Sequence, residues 1–274
     1  MTAGCSGVYL KELNMLRTVN VTRYVTPLRE GGSLPAIVEA DDDGLYVLKF
    51  RGAGQGPKAL IAELVAGEIG RALGLRVPEI VFMELDVALG RNEMDPEIQM
   101  LIKASGGQNL GLDYLPGSLA FDPAAAAEVD PALASAIVWF DAFVTNVDRT
   151  PRNTNMLLWH KNLWLIDHGA ALYFQHTWND YLARSLTPFS QIKGHVLLPY
   201  ASEIPLADRK FRPILTHEKL EAILELIPAD WLAPEQGFTS PQEMRAAFLT
   251  FLLTRLENSN IFVEEAVNAR TKLL

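Results

Sequence analysis

Residues 137–172, IVWFDAFVTNVDRTPRNTNMLLWHKNLWLIDHGAAL, carry the most informative pattern in the chain. An apolar helical segment leads into a polar loop at 146–155, and two short apolar runs follow at 156–159 and 163–166. The runs are spaced like the strands of a tight hairpin, and Asp167 ends the second one. This order predicts that the polar loop and Asp167 meet at one end of the hairpin, which brings two carboxylates and at least one amide together.

Two carboxylates and an amide are the groups that phosphoryl transfer requires. An acid must orient the acceptor and receive its hydrogen, and oxygen ligands must hold Mg²⁺ against the phosphates. Mg²⁺ is usually bound through one or two carboxylates, with phosphate oxygens and water completing its shell. Asp148 is the candidate acceptor-facing acid, Asp167 the candidate metal ligand, and Asn155 or Asn153 the second ligand.

Spacing leaves the choice between the two asparagines open. In protein kinases four residues separate the catalytic Asp from the metal-binding Asn. Asn153 fits that count after Asp148. Asn155, however, directly precedes the apolar run, where the kinase Asn sits. We favour Asn155, which makes this loop two residues longer than the protein-kinase pattern.

The string FDAFVTNVDR at 140–149, the asparagine-bearing loop and Leu165-Ile166-Asp167 resemble a known branch of the protein-kinase-like fold. This branch contains the HipA-type kinases and the type II phosphatidylinositol 4-kinases, and the match is closest to the HipA-family kinases of bacteria. It has Asp-Arg or Asp-Ala in place of the usual His-Arg-Asp, as Asp148-Arg149 does here. The resemblance implies a kinase with ATP and Mg²⁺ as cofactors.

Three residues near the candidate acids in the sequence are expected to support the site. Arg149 either contacts the transferring phosphate or pairs with a nearby acid. Asp141, seven residues before Asp148 and among apolar neighbours, is expected to anchor the loop by accepting its N–H bonds. His168 replaces the Phe of Asp-Phe-Gly, which keeps the metal ligand but puts a Phe-based switch in doubt.

A lysine lies near the end of the apolar strand predicted at residues 45–50. A cation there is costly unless it has a partner. Lys49 either snorkels to water at a sheet edge or holds the α- and β-phosphates of ATP, as the corresponding kinase lysine does.

An acid of the helix predicted over 59–73 should pair with Lys49. The apolar stripe is centred near Glu68, whereas the family spacing to Val77-Pro78 favours Glu63. The two acids lie about 140° apart on the helix, so one of them can make the contact. We select Glu63, because small residues on its side would let other elements approach.

Glycine-rich segments supply the remaining candidates. The turn at Gly31 and Gly32 is the expected lid over the nucleotide. The segment 51–58 is either an accessory phosphate or activation element or a flexible linker. The segment 105–117 is either the hinge that meets the adenine edge or a plain linker. Its candidate adenine-binding residues are Asp113, Tyr114 and Leu115.

The predicted fold class is α+β, a bilobal protein-kinase-like fold. Residues 1–18 form a flexible arm, and residues 19–110 form a nucleotide-binding lobe with a five-stranded antiparallel sheet and one helix. The fifth strand is assigned to 98–102. Residues 111–274 form a mostly helical lobe with the catalytic loop and helices at 217–227, 241–256 and 260–273.

Composition limits the partners. The net charge is −9 and no run of Lys or Arg occurs, so bulk nucleic-acid binding is not expected. No apolar run is long enough for a membrane span, and a lone Cys5 suits a reducing, cytoplasmic location.

The expected activity is transfer of the γ-phosphoryl group to a hydroxyl acceptor, a protein Ser or Thr rather than a lipid or small molecule. A nucleotide-binding pseudokinase is the alternative, and a plain interaction module is a third possibility.

Overall fold

The computed structural model describes residues 16–28, 34–54, 56–233, 235 and 237–273. Their strands are β1 (Thr18–Pro27), β2 (Ala36–Ala40), β3 (Leu45–Lys49), β4 (Ile80–Leu85), β5 (Gly107–Asp113), β6 (Leu119–Ala120), β7 (Met156–Trp159) and β8 (Asn162–Leu165). Their α-helices are α1 (Pro57–Ala72), α2 (Pro96–Ala104), α3 (Pro131–Phe143), α4 (Tyr181–Ser185), α5 (Ile204–Phe211), α6 (His217–Glu225), α7 (Pro241–Glu257) and α8 (Asn260–Thr271). Short 3-10 helices lie at Val87–Asn92, Pro123–Glu128, Tyr173–His176, Ser190–Gly194, Leu198–Tyr200 and Ala229–Trp231.

The N-terminal strands close into a barrel in the order β1-β2-β3-β5-β4. Neighbouring strands are antiparallel except for β1 and β4, which pair in parallel and close the ring. The prediction of an antiparallel sheet is therefore wrong at this closing pair. The parallel pairing could not be predicted from local sequence patterns, because β4 lies far from β1 along the chain.

The strand predicted at 98–102 is also wrong, because this segment lies in α2. Asp95 caps the helix by accepting the N–H of Glu97, and Pro96 occupies the first turn. Ile98 and Ile102 are buried one helical turn apart against the barrel interior. The capping sequence Asp-Pro-Glu outweighs the short apolar run.

The fifth strand is β5, which occupies most of the segment predicted as a hinge. Gly111 lets β5 pass Met83 of β4 closely, since a Cβ there would lie 2.4 Å from the Met83 sulfur. The boundary predicted at residue 110 falls inside this strand, and the chain leaves the barrel after Asp113.

Helix α1 lies between the barrel and the helical part of the chain. Pro57 occupies its first turn after Gly56, which has a φ of 66°, and every residue from Leu60 to Gly70 is buried. A Cβ on Gly70 would lie 3.4 Å from the Phe140 ring of α3, so the small residue permits this close approach. The apolar residues of α1 share one core with the C-terminal helices, while the barrel interior forms a second core.

Helix α3 is the buried axis of the C-terminal part. Asp130 caps it by accepting two backbone N–H groups, and Pro131 fills the first position. At its other end the buried guanidinium of Arg255, from α7, donates to the carbonyls of Ala142 and Phe143. The predicted C-terminal helices are confirmed as α6, α7 and α8. Among the described residues no helix is long and apolar enough to cross a membrane.

Candidate active site

The polar loop after α3 is fixed by a buried ion pair. Asp141, in the last turns of α3, is fully buried and accepts from the Nε of Arg149 at 2.6 Å and from the amide of Asn146 at 2.8 Å. A guanidinium nitrogen of Arg149 also donates to the carbonyl of Asn155, at the far end of the loop. Asp141 therefore anchors the loop by accepting its N–H groups, as expected. Side chains donate to the carboxylate, and the backbone N–H of Asn146 donates to the Asp141 carbonyl at 2.8 Å.

Arg149 is committed to this interior contact, with 1% of the residue exposed. Of its two suggested roles, pairing with an acid is the one observed. A buried guanidinium bound to a carboxylate and a carbonyl has no access to a ligand in a cleft. Arg149 thus ties the two ends of the loop together.

The network includes a histidine that the sequence interpretation missed. His195 lies 54 residues beyond Asp141 in the chain, and its Nε2 is 2.9 Å from Asp141 Oδ2. Its Nδ1 accepts the backbone N–H of Leu197 at 3.0 Å, so Nε2 carries the proton that bonds to the carboxylate. Burial alone would raise the pKa of Asp141, but the charge of Arg149 and the bond from His195 lower it well below its usual range.

Asp148 lies at the surface end of the loop, with both candidate asparagines directed at it. Its Oδ2 accepts the Asn153 amide at 2.7 Å and lies 3.4 Å from the Asn155 amide nitrogen. Burial raises the pKa of Asp148, and the negative charge of Asp167 raises it further. The bonds from the two asparagines oppose this rise. The carboxylate is therefore a better proton acceptor than an ordinary Asp.

The predicted hairpin is present as β7 and β8, and it delivers Asn155 and Asp167 to the same place. Asn155 directly precedes β7, is 8% exposed, and has its amide nitrogen 3.4 Å from the Asp167 carbonyl. Asn153 is exposed, and its side chain contacts Asp148 but neither Asn155 nor Asp167. Both Asn155 and Asp167 have left-handed backbones, with φ of 47° and 56°. The hairpin thus places Asn155 between the two acids.

Lys49, at the end of β3, reaches this cluster from the barrel. Its Nζ lies 2.6 Å from Asp167 Oδ1 and 3.2 Å from Glu63 Oε2. Glu68 instead pairs with Arg71 of its own helix at 3.2 Å. Of the two acids that the sequence offered, Glu63 makes the contact with Lys49. The barrel, α1 and the hairpin therefore each contribute one charged group to a single cluster.

Electrostatics keep the members of this cluster charged. Burial alone would lower the pKa of Lys49, but Glu63 and Asp167 outweigh it and raise the pKa above its usual value. Burial alone would raise the pKa of Glu63, but Lys49 and His168 lower it below its usual range. The lysine is consequently a fixed cation, which suits an anionic ligand such as a phosphate.

The glycine turn predicted as a lid, Gly31 and Gly32, lies outside the described residues. Of the predicted adenine-binding residues, two have backbone N–H groups already bonded within the protein. Asp113 donates to the carbonyl of Glu79 at 2.8 Å, and Tyr114 donates to that of Leu45 at 2.9 Å. Leu115 is the remaining backbone donor of the three, and its side chain is buried.

The glycine-rich segment 51–58 contacts the C-terminal part of the chain. Arg51 pairs with Asp230 at 3.2 Å, and Lys58 pairs with Glu235 at 2.5 Å. Lys58 also borders a cavity of about 130 Å³ beneath the first turn of α1, and no member of the Asp148 cluster lines it. Both cations of this segment therefore pair with acids of the C-terminal part of the chain.

The acids and amides at the hairpin end suit a divalent cation that is shared with a ligand. The Asp167 side chain is 44% exposed, and the Asn155 amide supplies one further oxygen. Among the described residues no group of three or more His, Cys, Asp or Glu could enclose a metal ion alone. A site with one carboxylate, one amide and ligand oxygens is the arrangement that Mg²⁺ accepts.

The site combines a lysine held by a helix acid with an acid and an amide on the loop after a buried helix. A second acid follows the hairpin. This arrangement is typical of a protein-kinase-like protein. The model of the HipA-like kinase family matches residues 21–265. The chain belongs to this family, as the motif at 140–149 predicted.

One solved structure supports the fold. A Helicobacter pylori proinflammatory kinase, CtkA, is 15% identical, with 94% of this chain and 99% of that chain covered and a TM-score of 0.51. The Golgi casein kinase is 12% identical over 92% of this chain and 76% of that one, with a TM-score of 0.43. The same enzyme with Mn/ADP bound gives a TM-score of 0.36 at 15% identity. No curated protein sequence matches significantly.

Proposed function

We propose that the protein is an ATP-dependent kinase that transfers the γ-phosphoryl group of Mg-ATP to the hydroxyl of a protein Ser or Thr. The observation that carries the proposal is the position of Lys49, whose Nζ lies 3.2 Å from Glu63 and 2.6 Å from Asp167. A lysine held between these acids orients the α- and β-phosphates of the nucleotide beside the residues that would bind the metal.

The metal, when bound by Asp167 and Asn155, would neutralise charge on the β- and γ-phosphates. The chain's own contribution to the transfer is made by Asp148. The acceptor oxygen forms a bond to the γ-phosphorus while the bond from phosphorus to the β–γ bridging oxygen breaks. The hydroxyl proton passes to an Asp148 oxygen, and ADP leaves with the bridging oxygen.

The raised pKa of Asp148 supports this role. Burial is the main cause of the rise, and the Asp167 charge adds to it. A base works best when its pKa approaches the working pH, because the proton is then transferred with a larger driving force. Asn153 and Asn155 hold the same carboxylate in place through Oδ2, so one oxygen is positioned while the other remains for the acceptor.

A protein acceptor is favoured over a bilayer lipid by the charge of the chain. The net charge is −9, and attraction to an anionic membrane surface requires clustered Lys and Arg. An acidic protein meets no such attraction and would recognise its acceptor by local contacts.

The test uses γ-labelled ATP with Mg²⁺ and a fractionated bacterial lysate, followed by separation of protein, lipid and small-molecule products. We expect label on Ser or Thr of a protein, and a loss of about 10²–10⁴-fold in rate for Asp148→Asn with nucleotide binding retained. Asp43→Asn makes the same change in an exposed turn and should leave the rate unchanged.

Three results would contradict the proposal in different ways. Binding of Mg-ATP without transfer to any acceptor would identify a pseudokinase. Transfer at the wild-type rate by Asp148→Asn would show that another group receives the proton. Label on lipid alone would keep the kinase and reject the protein acceptor.

A further inference from the structure

His168 follows the metal-facing acid directly and is fully buried. Its ring stands edge-on to Phe140 of α3, with 5.7 Å between the ring centroids. Two of its nitrogens reach the same carboxylate of α1. The backbone N–H donates to Glu63 Oε2 at 3.0 Å, and the ring Nδ1 lies 3.2 Å from Glu63 Oε1.

Glu63 is consequently held at both oxygens by one residue. Its Oε2 accepts from the His168 backbone and also lies 3.2 Å from Lys49 Nζ. Its Oε1 faces the imidazole. Since a carboxylate is planar, contacts at both oxygens fix its rotation as well as its position. His168 therefore fixes the orientation of the Glu63 carboxylate toward Lys49.

The contact defines the tautomer of the imidazole. A carboxylate oxygen can only accept, so Nδ1 must carry the hydrogen. The Nε2 is buried, and no polar group among the described residues lies within hydrogen-bonding distance of it. An Nδ1–H group directs a donor at Glu63, whereas the buried Nε2 has no hydrogen-bond partner among the described residues.

A phenylalanine at this position, as in ordinary kinases, could fill the same space without donating. The backbone N–H alone would then hold Oε2, and Oε1 would lose its partner. A carboxylate with 1% exposure and one unpartnered oxygen is costly. Glu63 would be expected to rotate toward Lys49 or to move away with α1.

We propose that His168 is a positioning residue that acts through Glu63 to fix the ammonium of Lys49 for the nucleotide phosphates. The inference rests on the proposed function, which assigns Lys49 to the phosphates. His168 therefore links Asp167, which directly precedes it, to Lys49 through Glu63. Because Glu63 belongs to α1, the same contact also holds this helix in place.

Three variants separate donation from packing. His168→Phe keeps an aromatic ring and removes the donor, His168→Asn keeps a donor near the Nδ1 position, and His168→Gln places its amide near the Nε2 position. We expect His168→Phe to weaken Mg-ATP binding about tenfold, which corresponds to about 1.4 kcal/mol. His168→Asn should restore most of the affinity and His168→Gln should not. The KM for the acceptor should stay at the wild-type value in all three.

Equal losses in the three variants, following their thermal stability, would indicate that His168 only fills space and would overturn the inference. A shift in the acceptor KM instead of the nucleotide affinity would also overturn it.

A second measurement needs neither a variant nor turnover. The ¹⁵N chemical shifts of His168 in the wild-type chain without nucleotide should show that Nδ1 carries a hydrogen. A ring protonated at Nε2 alone would overturn the inference, whatever the enzyme does. Failure of the wild-type chain to bind Mg-ATP would instead overturn the proposed function, together with the nucleotide role of His168, while the Nδ1–H ring would still be observed.

Discussion

Replacing Asp141 with Asn tests the buried pair that supports the catalytic loop. The change keeps the shape of the side chain but removes its charge, and Arg149 is left as a buried cation with 1% exposure. The substituted side chain also offers one acceptor oxygen where the structure uses two, so it can no longer accept from both Asn146 and His195.

The expected cost follows from this burial. Removing one partner of a buried ion pair destabilises a protein by about 3–5 kcal/mol. With about 2.1 cal/mol/K of unfolding entropy per residue over 274 residues, that loss lowers Tm by roughly 5–9 °C. Because the loop carries Asp148 and Asn155, we also expect catalysis to fall by more than the change in the folded fraction.

The pH dependence provides a sharper test. The pKa of Asp141 is lowered in the folded state, chiefly because Arg149 and His195 outweigh the effect of burial. Its stabilising contribution is therefore present above the ordinary carboxyl pKa of about 4 and is lost as the pH falls below it. The stability difference between wild type and Asp141→Asn should be full at pH 7 and should shrink on acidification.

Urea unfolding at several pH values measures this difference directly. Glu128→Gln, which removes an exposed acid, is the matched control and should change stability by less than about 0.5 kcal/mol. A difference under about 1 kcal/mol at pH 7 for Asp141→Asn would refute the buried-pair estimate. A difference that grows as the pH falls would refute the assigned direction of the pKa shift.

Three further changes have defined outcomes. Asn153→Ala removes a bond that stabilises the charged form of Asp148, so the pKa of Asp148 should rise further and the acid limb of kcat/KM should move to higher pH. Arg255→Met leaves four carbonyl oxygens without their buried donor and should cost about 3 kcal/mol or more in urea unfolding. Asp130→Ala removes the cap of α3 and should cost about 1 kcal/mol by the same measurement.

Each of these changes has a control. Arg152→Ala, at the exposed neighbour of Asn153, should move the acid limb less, and an unchanged limb in Asn153→Ala would contradict the role of its amide. Arg212→Met alters an exposed arginine and should be nearly neutral. Asp130→Ser should retain most of the cap, and equal losses from Ser and Ala would show that the side-chain oxygen is not what stabilises α3.

The elements that sequence predicted well have local causes. The hairpin of β7 and β8, the capped helix α3 and the long helices α1 and α7 each follow from periodicity and cap residues within a few positions. The pairing of Lys49 with Glu63 required the family spacing in addition, because the apolar stripe alone favoured Glu68. Both acids are in fact buried, so hydrophobicity could not separate them.

The features that were missed depend on contacts between distant parts of the chain. His195 carried no signal in the sequence, and the position of His168 after Asp167 did not reveal its contact with Glu63. The carboxylates that these two histidines contact lie 54 and 105 positions away. The parallel pairing of β1 with β4 is likewise invisible to local patterns. The error at helix α2 has a local cause. Asp95, Pro96 and Glu97 form a capping signal for a helix, but the apolar run at 98–102 was interpreted as a strand.

Closure of the barrel also limits how other polypeptides can attach to it. A sheet whose outer strands pair with each other presents less open edge, so an extended peptide has less room to add alongside the described strands β1 to β5. The seam between β1 and β4 is short, with three residue pairs from Thr18 and Phe82 to Asn20 and Glu84. A peptide that docks by strand addition must therefore open this seam or use an edge of the small sheet, whose outer strands are β6, two residues long, and β8, four residues long.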